Sequence, residues 1–223
     1  YESNCDIFNK PNLIILNGIK IIPKYSTESK LVSLRNGVIK IVCSAKWRRN
    51  KRLHEIIDVI KDLRKQINCE LYVIGEVEKK IGDKEYIKYL GNLTNEKTIE
   101  KIRMSHIFIH LSWLEACPNS VIEAVGNYVP VVCNNVGGTQ EIIKSKNGGI
   151  ISDCDNVEII ENFLKGDETL NLKNPPEIRK DIVLQDLISL IDNYEEIVEN
   201  IDISHIDIET TAEKYFNFIK KFI

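Results

Sequence analysis

Several absences narrow this sequence before any motif is read. No C-x-x-C pair occurs among its six cysteines, which stand singly at 5, 43, 69, 117, 133 and 154. That scatter, with Cys43, Cys69 and Cys133 inside apolar runs, favours buried thiols in a reducing compartment over disulfides or a metal site. No apolar run approaches the ~20 residues that span a bilayer. There is no basic excess: 30 Lys and Arg face 33 Asp and Glu, a net charge of −3, so no global footprint for nucleic acid exists. Neither P-loop nor G-x-G-x-x-G spacing occurs, which removes support from the usual NTPase and NAD readings. Tyr1 to Cys5 offers neither a basic start nor an apolar segment, so no secretory leader is expected. The sequon Asn92-Leu93-Thr94 then reads as coincidence. No internal repeat or low-complexity tract is visible.

What remains is a chain of 223 residues, 43% apolar, long enough for one large domain or one domain with an extension. Its pattern alternates. Continuous β-branched or apolar runs at 39–45, 69–75, 86–91, 107–112, 129–134 and "GGIIS" predict six strands. Helical spacing predicts helices over 51–67, from a Thr94 cap to Arg103, near 118–127 and from Thr139. Asp155-x-x-Glu158 reads as a capping box for another. Strands alternating with helices predict an α/β fold, a doubly wound parallel sheet of Rossmann-like type. Residues 164–181, with Pro175-Pro176, read as an exposed loop.

The ends depart from this unit. "NLIILNGIKIIP" (12–23) fits either a hairpin around Asn17-Gly18 or the last strand of a preceding domain with its linker. Residues 183–201 and 211–222 are helical by spacing, a helical C-terminal extension. The last helix carries Tyr215, Phe216, Phe218, Ile219 and Phe222 on more than one face.

In open parallel sheets, ligands bind at the carboxyl ends of strands. After the first strand comes "KWRRNKR", with Lys46, Arg48, Arg49, Lys51 and Arg52. After the second comes Gly75, and after the fourth Glu115 and a helix start. Gly137-Gly138-Thr139 follows the fifth. Cations and free helix N-terminal amides at one edge favour an anion such as a diphosphate. Pro118 suits the first helical position, which leaves the amides of Asn119 and Ser120 open. Each feature also has a plain reading: Glu123 as a solvated helix residue, the basic run as a solvated helix start, Gly137-Gly138 as a turn. His106 and His110 flank a strand and read as packing or surface residues. A glycosidase pair of Glu115 and Glu123 lacks the aromatic walls of a sugar cleft.

In this order the motifs resemble the carboxyl-terminal, donor-binding half of a GT-B glycosyltransferase of family 4, the glycosyl transferases group 1. The E-x7-E motif corresponds to Glu115 and Glu123, followed by Ala124 and the "PVV" of Pro130-Val131-Val132. "VGG" and a downstream acid correspond to Val136-Gly137-Gly138 and Glu141. The R-x4-K-G motif corresponds to Lys46 and Lys51, with lysine in place of arginine. The resemblance implies that Glu115 reaches the donor sugar's hydroxyls and Glu123 the ribose. Asn119 and Ser120 would hold the diphosphate with Lys51 and Lys46. Lysine lacks the bidentate fork of arginine, so Arg48 is expected to share that work. Leu93 falls where the backbone holds the base, and Gly75 and Gly138 complete the donor-binding set. Glu115 and Lys51 are the expected catalytic residues. Retention, a hexose donor and independence from metal or other cofactors follow from the resemblance alone.

Two positions depart from the family. Arg52 replaces the glycine after Lys51. Tyr128 stands where glycine usually precedes "xPVV", so Asn127 is expected to take the left-handed turn. The amino-terminal, acceptor-binding half also has no counterpart, which favours the strand-and-linker reading of 12–23. The implied division is 1–24 as the end of that half with its linker, 25–182 as the donor domain, and 183–223 as helices crossing back. The expected partners are a nucleotide sugar and a saccharide, lipid or protein acceptor held by the other half. Self-association through residues 211–223, or mobility of that helix, is expected of the isolated chain. The expected location is cytoplasmic, with peripheral membrane association of the whole enzyme. The alternatives are a non-catalytic nucleotide-binding module and another GT-B enzyme such as a nucleotide-sugar epimerase.

Overall fold

A computed structural model describes residues 17–20, 34, 37–82, 85–165, 171 and 173–220. The β-branched run after Val38 forms β1 (Ile39–Ser44), followed by a single 3₁₀ turn at Arg49–Lys51. Apolar residues at helical spacing then fold α1 (Leu53–Leu63). β2 (Cys69–Ile74) and β3 (Ile87–Gly91) precede α2 (Asn95–Arg103), whose cap is Thr94: its side chain accepts from the Lys97 amide at 3.4 Å. Next come β4 (Ile107–His110), α3 (Asn119–Gly126), β5 (Val131–Asn134), α4 (Thr139–Lys146) and β6 (Gly149–Ser152). Among the described residues four helices follow: α5 (Glu158–Lys165), α6 (Lys180–Asp192), α7 (Tyr194–Glu199) and α8 (Ile208–Ile219).

The six strands make one parallel sheet in the order β3-β2-β1-β4-β5-β6. The order reverses between β1 and β4, and a doubly wound sheet opens its ligand crevice at that point, outside the carboxyl ends of the two strands. Both faces of the sheet are covered, which is why the strands read as unbroken apolar runs. Ile41, Cys43, Leu71, Val73, Ile107 and Ile109 pack with α1, α6 and α7. Val42, Phe108, Val131 and Cys133 pack on the other face with α3 and α4.

Two local expectations are corrected, and the hairpin alternative for 12–23 loses support. Asp155 does not cap α5; its carboxylate turns inward, and the Glu158 amide donates to Asn156 Oδ1 at 3.1 Å instead. Asn127 does not take the left-handed turn (φ −106°), because Tyr128 takes it itself at φ 55°. Gly18 stays out of the left-handed region that a type I′ turn needs, and Ile19 bridges Asp207. The rest of the 12–23 segment lies outside the described residues, as do Cys5 and Phe222.

The carboxyl-terminal helices divide into two kinds. Val183, Leu187 and Leu190 of α6, with Tyr194 and Val198, are buried in the same core as α1. They therefore pack on the same face of the sheet as α1. α8 instead starts on Asp207, which caps the Thr210 amide at 2.7 Å, and exposes Ile208, Tyr215, Phe216 and Ile219. The described cysteines are free; Cys43, Cys69, Cys133 and Cys154 are buried, and burial raises the Cys69 thiol to about 11. Among the described residues, no helix is long and apolar enough to cross a membrane.

Candidate functional site

A cavity of about 330 Å³ opens at the reversal point of the sheet, lined by Ser44 at the end of β1, Ala45, Lys46 and Lys51 after it, His110 at the end of β4, and Glu115, Pro118, Asn119, Ser120 and Glu123 beyond it. Six of the ten anticipated site residues meet here: Lys46, Lys51, Glu115, Asn119, Ser120 and Glu123. Lys51 Nζ donates to Glu115 in a half-buried ion pair. A cation and an acid from loops 64 residues apart thus face each other across the cavity mouth.

Pro118 precedes the helix rather than opening it. It is the N-cap, extended at φ −74° and ψ 118°, and its carbonyl accepts from the Val121 amide at 3.1 Å. Asn119 and Ser120 are therefore the first helical residues, and their amides have no acceptor within α3. They add a positive dipole end to the lysines around the cavity. Asn17 Nδ2 donates to Asn119 Oδ1 at 2.6 Å, which ties the amino-terminal segment to this helix start.

Glu123 sits one turn further along. Its carboxylate accepts from Asn95 Nδ2 at 3.2 Å, which brings the β3–α2 loop and the half-buried Leu93 into its neighbourhood. Burial raises the Glu123 pKa, and the Asn95 bond partly opposes that.

Four anticipated residues lie elsewhere. The chain runs extended through Arg48 and then turns, so neighbouring cations diverge. Arg48 lines an adjoining groove of about 660 Å³ with Trp47, Lys79 and Lys80, and so does not share the cavity of Lys51. Arg49 pairs with Glu55. Gly75 (φ 107°) is required by the protein itself: a Cβ there would stand 2.0 Å from the Ala45 carbonyl oxygen. Gly138 packs against the backbone beside Glu115; its amide donates to the Glu115 carbonyl at 2.8 Å, and a Cβ would meet the Ala116 oxygen at 1.9 Å. The glycine turn after β5 thus buttresses the acid loop from behind.

One titratable cavity residue, His110, was read from the sequence as packing or surface only. His110 is 5% exposed, stacks on Phe108, and leaves Nε2 buried without a hydrogen-bond partner. Burial, with a smaller contribution from the nearby Lys51 charge, lowers its pKa to about 3. It is a neutral imidazole in the cavity wall. Strand alternation was the available signal, since His110 shares a face with Phe108. His106 is structural, its Nδ1 accepting from the Lys40 amide at 2.8 Å.

Backbone strain flanks both poles of the ion pair. Arg52, next to Lys51, has φ 57°, and Leu114, next to Glu115, has φ 52°. Side chains seldom adopt this conformation, and it persists only where the surroundings impose it.

Comparison with known proteins bears on the family and the fold. The family model "Glycosyl transferases group 1" matches residues 27–171, well over half of the chain. TuaC of Bacillus subtilis (strain 168), a glycosyltransferase assigned to teichuronic acid biosynthesis, is 27% identical over 94 residues, 42% of this chain and 24% of its own. Among solved structures, Anabaena Alr3699/HepE in complex with UDP-glucose superposes with a TM-score of 0.65 at 14% identity, over 94% of this chain and 57% of that one. A glycosyltransferase from Rickettsia africae ESF-5 gives a TM-score of 0.59 at 15% identity, over 94% and 56%. The chain therefore spans little more than half the length of these structural relatives.

Proposed function

The chain belongs to the glycosyl transferases group 1 family, and we propose that it is the carboxyl-terminal, nucleotide-sugar-binding part of a retaining family 4 enzyme that transfers a hexose. The observation that carries this reading is the convergence of Lys51, Glu115 and the α3 amino terminus at the reversal point of the sheet. UDP-glucose in the Anabaena relative supports a nucleoside-diphosphate sugar as the ligand class.

In this reading the diphosphate lies against the amides of Asn119 and Ser120 and draws Lys51 from Glu115 to itself. Glu115, released, accepts from hydroxyls of the sugar, and Glu123 accepts from the ribose. Two carboxylates bracket the phosphates because sugar and ribose lie on either side of them. As the glycosidic bond breaks, negative charge gathers on the departing diphosphate, where Lys51 and the helix amides are already aimed. Lys46 adds positive potential, and Leu93 borders the base.

The acceptor, a saccharide, lipid or protein, belongs to the remainder of the full-length enzyme. The exposed face of α8 is proposed to meet that portion in the whole enzyme and a second copy in this chain alone. Sedimentation with and without residues 211–223 tests this, and a monomer in both cases rejects the second-copy contact.

Calorimetry across a panel of nucleoside diphosphates and nucleosides tests the main reading. Lys51→Ala is expected to weaken the diphosphate at least about tenfold and the nucleoside little, because its contact is charge on phosphate. Glu123→Ala is expected to weaken both. Identical loss patterns would refute these roles, and a folded chain that binds no nucleoside diphosphate would refute the function.

A further inference from the structure

We infer that Arg52 and Asp155 are positioning residues: their buried ion pair locks the loops that carry Lys51 and Glu115 into the geometry the diphosphate requires. This deepens the proposed function and rests on the cavity being a nucleoside-diphosphate site.

Both side chains are fully buried, an unusual state for charges. Arg52 Nη1 donates to Asp155 Oδ2 at 2.8 Å and Nη2 to Oδ1 at 2.6 Å, a bidentate fork. Nη2 also donates to the Pro176 carbonyl at 3.0 Å and Nη1 to the Leu111 carbonyl at 3.4 Å. The guanidinium carbon lies 5.2 Å from the centre of the Trp113 ring. Asp155 Oδ2 accepts in addition from Asn134 Nδ2 at 2.8 Å, and Asn134 donates to the Ser112 carbonyl at 3.2 Å. One ion pair therefore joins the loops after β1, β4 and β6 and the end of β5.

Lys51 is held on both sides by this assembly. Its predecessor Asn50 accepts from the Trp113 amide at 2.8 Å, and its successor is Arg52. Glu115 follows Trp113 by two residues, through the left-handed Leu114. Stability alone does not account for the pair. Buried ion pairs frequently stabilise no better than apolar residues of the same volume, and Arg52 Nε is left without a partner. What the pair supplies is a fixed distance between the poles of the cavity.

The test is calorimetry of wild type, Asp155→Asn and Arg52→Gly with UDP, GDP and their nucleosides, alongside thermal melts. Asparagine leaves the buried guanidinium without its anion, and glycine suits the left-handed backbone at 52. In folded variants, affinity for the nucleoside diphosphate that wild type binds is expected to fall at least about tenfold, and affinity for its nucleoside less than about twofold. A lower melting temperature with an unchanged ratio of the two affinities would show a merely structural pair and overturn the inference. So would equal losses for both ligands, or failure of both variants to fold. Wild type that binds no nucleoside diphosphate is a different result: it overturns the reading of the cavity and this inference with it.

Discussion

Two turns in this molecule have the same backbone and opposite surroundings. Arg52 (φ 57°) and Tyr128 (φ 55°) both hold the left-handed conformation with a full side chain, where the family resemblance expects glycine. Each forgoes roughly 1–2 kcal/mol relative to a relaxed residue. At Tyr128 the return is local. Its amide donates to the Val125 carbonyl at 2.9 Å and the Val129 amide to Ala124 at 2.9 Å, closing the end of α3. Its half-buried ring packs at the margin of both core faces. At Arg52 the return is long-range and polar, an ion pair reaching 103 residues along the chain. Packing suffices where the chain only has to turn. A directional lock appears where the turn also sets Lys51 opposite Glu115.

The largest expected effect breaks that lock from its far side. Asp155→Ala leaves the Arg52 guanidinium charged, buried and unpaired, which costs about 3–5 kcal/mol. Arg52→Gly with Asp155→Ala removes both charges, so urea unfolding of the double variant is expected to recover much of the loss. If the double variant is as unstable as the sum of the singles, the two residues do not act as a pair.

A smaller effect separates the cavity from the rest of the sheet through acid. His110 sits in the cavity wall with its pKa lowered from 6.5 to about 3. The unfolded chain then takes up a proton that the folded one refuses, so this contribution is complete above pH 6.5 and is lost as pH falls towards 3. Between pH 6.5 and about pH 4.5 it amounts to about 2 kcal/mol. Glu123 works the other way, since its raised pKa favours the folded chain as pH falls. Comparing wild type with His110→Leu isolates the histidine. The variant is expected to show a flatter acid limb, and parallel limbs would mean that His110 is protonated in the fold.

The sheet was legible because strands buried on both faces leave continuous apolar runs, and the six of them fall where the sequence puts them. The loops at their carboxyl ends were legible as sources of charge but not of direction. "KWRRNKR" shows five cations in seven residues, and only the folded path, extended through Arg48 and then turning at 49–51, shows that Lys46 and Lys51 enter the cavity while Arg48 does not. Asp155 was misread for a physical reason: spacing to Glu158 suits a cap, while its partner lies across the molecule. Local patterns cannot reveal a pairing over such a separation. Gly75 and Gly138 were assigned to the donor-binding set, but what approaches them closely is the protein's own backbone, from Ala45 and Ala116. The same limit applies to Tyr128, where the sequence predicted a left-handed turn and placed it one residue early.

The smallest effect comes from the second turn and sharpens the contrast. Tyr128→Gly relieves the left-handed strain, worth about 1–2 kcal/mol. Against that stand the lost contacts of a half-buried ring and the greater freedom of glycine in the unfolded chain, about 0.4–1 kcal/mol. These terms nearly cancel, so stability is expected to stay within about 1 kcal/mol of wild type. The backbone bonds that close α3 need no side chain at 128, so Asn119, Ser120 and Glu123 on that helix keep their places, and nucleoside-diphosphate affinity should not move. Arg52→Gly makes the same chemical change at the same φ and is expected to lose both stability and diphosphate affinity. Unfolding and calorimetry on the two glycine variants side by side decide the matter. If Tyr128→Gly weakens the diphosphate as much as Arg52→Gly does, the backbone geometry itself matters at both turns, and the ion pair is not what distinguishes them.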